Sequence, residues 1–116
     1  MSDFVLVPQR DYAAELLRVA PRFAVSREYH SLDAEDRAIA GLVFAAFSRF
    51  CEASLTERQA SEECSNAIEH FASMNDAEAH NLIVTEVYEG FRHPELSVRL
   101  LLPLSRALYE RWIGPI

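Results

Sequence analysis

The feature that most constrains this chain is an apolar stretch, residues 37–52, whose hydrophobic residues recur with the period of an α-helix. One complete face of the predicted helix is apolar and consists of Ile39, Leu42, Val43, Ala46, Phe47 and Phe50. The opposite side is hardly more polar and carries Ala40, Gly41, Phe44 and Ala45. A helix that is apolar nearly all round is typical of the buried centre of a bundle. The sequence therefore predicts an all-α fold organised around this helix.

Capping signals and prolines divide the rest of the chain into further helices joined by short connections. The predicted helices span about residues 9–19, 33–53, 57–73, 76–90 and 94–112. Side chains near their starts, either Ser31 or Asp33 for the second helix and Thr56 for the third, can accept hydrogen bonds from the free backbone N–H groups of a first turn. Pro103 lacks an N–H group and is expected to kink the last helix near this position. Short connections favour antiparallel neighbours, so we expect a single domain over residues 1–116, a bundle of about five helices.

Two of these helices carry a clear apolar stripe, which is predicted to face the core. In the helix over 57–73 the stripe comprises Ala60, Cys64, Ala67, Ile68 and Phe71. In the last segment it comprises Leu96, Leu100, Leu101, Leu104, Leu108 and Trp112.

The distribution of charge is uneven and points to the kind of partner. The net charge of the 116 residues is −7, and residues 51–90 alone hold nine acidic side chains and a single arginine. Such an acidic segment argues against nucleic acid or an anionic membrane as a partner and favours a protein with a basic surface. The alternative is that these charges only keep the protein soluble.

The N-terminal sequence and the cysteines indicate a cytoplasmic protein. No apolar run approaches the ~18 residues of a membrane span, and the first residues lack the pattern of a signal peptide. The short apolar segment 3–7 is predicted to be an extended lead-in. Cys51 and Cys64 lie within predicted helices, where we expect reduced, structural thiols.

The histidines and carboxylates do not form a recognisable catalytic or metal-binding pattern. His70 and His80 lie on different predicted helices, and no Glu-x-x-His pair occurs in the chain. His80 projects to the core-facing side of its helix, where a hydrogen-bonded core histidine is expected. The neighbouring Glu62 and Glu63 could form an acid/base pair, but Glu62, Asn66 and Glu69 form one exposed stripe, which is typical of a solvated face. We therefore expect no enzyme activity, no cofactor and no metal.

An exposed leucine surrounded by acids is the strongest candidate for a binding site. On the helix over 76–90, Leu82 projects opposite the core stripe, among Glu78, Thr85, Glu86 and Glu89. This layout is typical of an interface anchor with a charged rim, unless a neighbouring element covers the leucine. The predicted partner-binding residues are Glu62, Asn66, Glu69, Asp76, Glu78, Leu82, Glu86 and Glu89.

A family resemblance adds a specific function. Residues 70–90, with Asn75-Asp76-x-Glu78, Asn81 and a closing Tyr88-Glu89-Gly90, resemble a family of small all-helical bacterial proteins, as does the segment 101–112. Members of this family are similar to immunity proteins of polymorphic toxin systems, including contact-dependent growth inhibition. The resemblance implies a protein without catalysis that binds and neutralises a cognate toxin domain. Many such toxins are nucleases with basic clefts, which an acidic helical face could occlude.

A helical adaptor or regulatory module is the alternative function. Its partner would be a helix, or a second copy of the chain in a weak homodimer. The interface would then be the outer side of the central helix, with Phe44 and the small residues Ala40, Gly41 and Ala45.

Overall fold

All regular elements of the part of the chain that the structure describes are helices, which confirms the predicted all-α class. The structure is a computed structural model and describes residues 10–116, so the predicted extended segment 3–7 lies outside the described residues. The α-helices are α1 (Tyr12–Val19), α2 (Pro21–Ala24), α3 (Arg27–His30), α4 (Ala40–Ala53), α5 (Arg58–Ala72), α6 (Ala77–Leu82), α7 (Pro94–Ser97) and α8 (Pro103–Trp112). A π-helix (Ile83–Tyr88) continues α6, and short 3₁₀-helices cover Asp36–Ala38 and Val98–Leu100. The described residues form eight α-helices instead of the expected five. The connection between the first two predicted helices contains α2 and α3, and the last predicted helix is divided into α7 and α8.

Helix α4 lies at the centre of the fold, but it begins later than predicted. Residues 33–39 form a turn and a 3₁₀-helix instead of the first turns of α4. Asp33 caps this 3₁₀-helix, since its carboxylate accepts a hydrogen bond from the Asp36 N–H at 2.9 Å. The backbone of Ile39 is then extended, with φ −106° and ψ 108°, and α4 starts at the next residue.

The face that α4 buries is rotated from the predicted one. Phe44, predicted to point outward, is fully buried and packs edge-on against Phe71 with ring centroids 5.1 Å apart. Ile39 and Leu42, predicted to face the core, are 52% and 41% exposed. Because α4 is apolar nearly all round, the contacts that its neighbours make determine which side is covered. Because Phe44 is buried, it is not the exposed interface residue that the adaptor or homodimer alternative predicted.

Helix α5 packs as its apolar stripe predicts, and only its cap differs. Its buried residues are Ala60, Cys64, Ala67, Ile68 and Phe71. The cap is Glu57 rather than Thr56, because the Glu57 carboxylate accepts a hydrogen bond from the Ala60 N–H at 2.9 Å.

Cys51 and Cys64 are buried, free thiols. Burial and the neighbouring Cys64 thiol raise the pKa of Cys51 well above its usual value, which makes it a poor nucleophile.

The helix predicted over residues 76–90 changes its winding midway. From Ile83 to Tyr88 it is a π-helix, in which the Glu89 N–H donates to the Val84 carbonyl five residues earlier. Leu82, which precedes the π-helix, is partly buried against the core instead of exposed. His80 is hydrogen-bonded as expected, with Nε2 3.1 Å from the Ala72 carbonyl oxygen.

The last segment is broken at Pro103 rather than kinked. Leu101 and Leu102 are extended, and Pro103 is the first residue of α8, where its missing N–H group costs no helical hydrogen bond. The break divides the predicted apolar stripe. Leu100, Leu101 and Leu108 are buried, whereas Leu96, Leu104 and Trp112 are 40%, 52% and 60% exposed.

Two glycines packed near Glu86 provide a matched pair of substitutions. A Cβ at Gly41 would lie 3.5 Å from Glu86 Oε1, an ordinary contact, so Gly41→Ala is expected to raise the free energy of unfolding. The gain is about 0.5–1 kcal/mol, because alanine loses less backbone entropy in a helix. A Cβ at Gly90 would lie 2.5 Å from the Glu86 carbonyl oxygen and 2.9 Å from Ser48 Oγ. We expect Gly90→Ala to lower the free energy of unfolding by about 1–3 kcal/mol, as measured by urea denaturation. Equal effects of the two substitutions would contradict this prediction.

Candidate partner-binding surface

Several carboxylates of the acidic segment hold the fold together through hydrogen bonds to helix starts. Helices α2, α7 and α8 all begin with proline, and in none of them does the N-cap residue accept a hydrogen bond through its own side chain. A glutamate from α4 or α5 provides the acceptor in each case. Glu63 accepts the Arg22 N–H at 2.9 Å, and Glu69 accepts the N–H groups of Leu104 and Ser105 at 3.0 and 2.7 Å. These carboxylates also face the positive ends of the helix dipoles.

Glu52 provides the most extensive of these contacts. Its carboxylate accepts the N–H groups of Arg92 and His93 at 2.9 and 2.8 Å and the Ser97 hydroxyl at 2.8 Å. Burial raises the pKa of Glu52, but the three hydrogen bonds outweigh burial and leave the pKa below its usual value. Glu52 therefore joins the end of α4 to the turn that begins α7.

Asp76 has a similar structural role at the start of α6. It accepts the N–H groups of Glu78 and Ala79, and the Tyr12 hydroxyl donates to it at 2.7 Å. The Tyr12 hydrogen bond is the main cause of the lowered pKa of Asp76, and the same bond raises the pKa of Tyr12 to about 12. Of the predicted partner-binding residues, Glu69 and Asp76 are thus engaged within the protein.

Glu62 and Asn66 lie apart from the other predicted residues, on the outer side of α5. Both line a groove of about 560 Å³ between α5 and the segment 96–102, which we call the leucine groove. Glu62 pairs with Arg58 at 3.1 Å, and both side chains are largely exposed. Such a surface ion pair contributes little to stability.

The remaining predicted acids lie along α6 and its π-helical continuation. Glu78, Asn81, Thr85 and Glu89 are exposed and form a ridge that we call the acidic crest. Within residues 10–116, the carboxylates of Glu78, Glu86 and Glu89 form no hydrogen bond or ion pair. Glu86 is less accessible, because it is partly buried beside Gly41. The acidic crest is therefore the part of the acidic segment whose charge is available to a partner.

An exposed tryptophan lies beside the acidic crest. Trp112, at the end of α8, is 60% exposed and borders a groove of about 570 Å³, the Trp112 groove. The same groove is lined by His80, Val84 and Glu89, and the Arg111 guanidinium lies 5.2 Å from the centre of the Trp112 ring. The sequence analysis missed this residue, because Trp112 continues the apolar stripe of the last segment. In the sequence, only Pro103, which interrupts this stripe, could have indicated that the Trp112 side chain is exposed.

The histidines and acids of residues 10–116 are not arranged as a metal site. Within residues 10–116, no three His, Cys, Asp or Glu side chains lie close enough together to hold a metal ion. His70 instead forms a pair with Glu15, with 3.1 Å between Nε2 and Oε2. None of the described helices combines the length and the apolar character needed to cross a membrane.

Comparison with known proteins gives no further assignment. No protein family, curated protein or solved structure matches this chain.

Proposed function

We propose that this protein is an immunity protein that binds and neutralises a cognate toxin domain with a basic cleft, without catalysis of its own. The observation that carries the proposal is that Glu89, whose carboxylate forms no hydrogen bond or ion pair within residues 10–116, lines the same groove as the exposed Trp112. The resemblance of residues 70–90 to immunity proteins supports the same function.

The physical argument combines an aromatic anchor with a charged border. Tryptophan is enriched among the residues that contribute most to binding, because it buries a large rigid surface at a small entropic cost. Carboxylates around it attract a basic partner and accelerate association through complementary potentials. In this proposal Trp112 is the main apolar contact with the toxin, and the acidic crest attracts the basic cleft electrostatically.

Charge reversal on the acidic crest tests the proposal. The toxin domain would be the one encoded beside the gene for this protein, and its affinity would be measured by surface plasmon resonance. The double variant Glu78→Arg/Glu89→Arg is expected to bind about 100-fold more weakly, because like charges then face each other at the interface. At low salt, most of this loss of affinity should appear as a slower association rate.

Control variants separate this surface from net charge. Glu35→Arg/Glu95→Arg changes the net charge equally at two exposed positions away from the acidic crest, and should retain affinity within about threefold. Trp112→Ala is expected to weaken binding about 30-fold or more, mainly through faster dissociation. Equal losses for the crest and control variants would reject the acidic crest as the interface. Failure of the wild-type protein to bind or protect against the toxin would reject the immunity function.

A further inference from the structure

We infer that the leucine groove is a binding site for a monocarboxylate with a medium-length apolar chain, a ligand such as decanoate. The inference does not depend on the proposed function, because none of the residues that line this groove lines the Trp112 groove. It rests on how the groove is formed, on its lining and on Arg99, a cation that is unpaired within residues 10–116.

Two carboxylates hold the outer wall of the groove in place. This wall is the segment 96–102, between the start of α7 and the start of α8. Before it, Glu52 accepts hydrogen bonds from Arg92, His93 and Ser97, and after it, Glu69 accepts hydrogen bonds from the first turn of α8. The wall is therefore fixed at both ends, so that an opening between it and α5 persists without a side chain to fill it.

The lining combines apolar and hydrogen-bonding groups. Leu55, Leu96, Leu100 and Leu102 form the apolar part, and Ser65 and Asn66 of α5 lie along the opposite side. Leu96 is 40% exposed. The volume of about 560 Å³ is within the range of small-molecule sites, about 300–1,000 Å³. An apolar chain in the groove would remove leucine surface from water, at roughly 25 cal/mol per Å².

The charge at the groove favours an anionic head group. Arg99 lines the groove, and within residues 10–116 its guanidinium forms no hydrogen bond or ion pair. The acid on the α5 side, Glu62, already pairs with Arg58 at 3.1 Å, which offsets its repulsion of an anion. A carboxylate can accept two parallel hydrogen bonds from a guanidinium, so the head group is placed at Arg99 and the chain along the leucines.

Titration with sodium decanoate, below the concentration at which it forms micelles, tests the inference by isothermal titration calorimetry. The wild-type protein is expected to bind decanoate saturably with one-to-one stoichiometry, and butanoate at least tenfold more weakly because it buries less apolar surface. Arg99→Gln should weaken decanoate binding about two- to fivefold, as expected for an exposed ion pair. Leu96→Gln should weaken it about tenfold.

A matched control and a competing occupant complete the test. Arg106→Gln removes another exposed arginine, away from the groove, and should leave the affinity for decanoate unchanged. Circular dichroism of each variant confirms that it is folded. The inference is overturned by the absence of saturable decanoate binding, or by wild-type affinity in both Arg99→Gln and Leu96→Gln. Binding of an amidated leucine-rich peptide by a protein that does not bind decanoate would also overturn it, and would assign the groove to a protein segment.

Discussion

Replacement of Phe47 by aspartate is expected to unfold the protein. Phe47 is fully buried in α4, with its ring centroid 5.3 Å from that of Phe23 and 6.4 Å from that of Phe50. Removal of a buried phenylalanine side chain costs about 3–5 kcal/mol, and a carboxylate without a partner in this apolar site adds a further large cost. The sum is comparable with the whole stability of a domain, about 5–15 kcal/mol.

Circular dichroism and urea denaturation measure this effect directly. Phe47→Leu, which keeps an apolar side chain, should remain folded and lose about 1–2 kcal/mol. Val25→Asp introduces the same carboxylate at a position that is 75% exposed, and should change stability by less than about 0.5 kcal/mol. A stably folded Phe47→Asp protein would show that the core is not centred on this part of α4.

Of the charged-residue substitutions proposed for this protein, Glu52→Ala is expected to lower the free energy of unfolding most. It removes the acceptor of three hydrogen bonds, from Arg92, His93 and Ser97. Hydrogen bonds to a charged group contribute about 1.5–3 kcal/mol each but are not additive, so we expect a loss of about 2–4 kcal/mol in the free energy of unfolding. Because Ser97 lies within the wall of the leucine groove, the variant should also bind decanoate more weakly.

The pH dependence of stability gives an independent check of Glu52. Its pKa in the folded protein is lowered, so its contribution is present above the pKa of an unfolded glutamate, about 4.3, and is lost as the pH falls through the lower folded value. The wild-type protein should therefore lose stability progressively below about pH 5. Glu52→Ala should lose less over the same range, whereas Glu62→Ala should follow the wild type. Parallel curves for wild type and Glu52→Ala would contradict the structural role of this carboxylate.

The core of α5 could be predicted from sequence, whereas that of α4 could not. In α5 a single stripe of five apolar residues alternates with polar ones, so only one orientation buries the stripe without burying charge. In α4 nearly every side is apolar, and several orientations bury similar surface. Its actual orientation follows from partners distant in sequence, such as Phe71 against Phe44 and the Val87 carbonyl oxygen, which accepts a hydrogen bond from Ser48.

The acidic residues divide in a way that the sequence did not indicate. The sequence predicted that the acidic segment 51–90 attracts a basic partner, yet its residues Glu52, Glu63 and Glu69 cap helices that lie 35–41 residues away along the chain. A local capping pattern predicts acceptors within one turn, so it cannot detect these distant ones. The break before Pro103 likewise divides the apolar stripe of the last segment, and Trp112 beyond it is exposed.

The sequence by itself determined the helical class, the positions of the main helices and the buried stripe of α5, because hydrophobic periodicity and local capping act within a few residues. Only the tertiary structure decided which side of α4 is buried, which carboxylates hold helix starts and which remain available to a partner. These features depend on contacts between residues far apart in the chain. Their energies are set by distances and burial, which no local pattern contains.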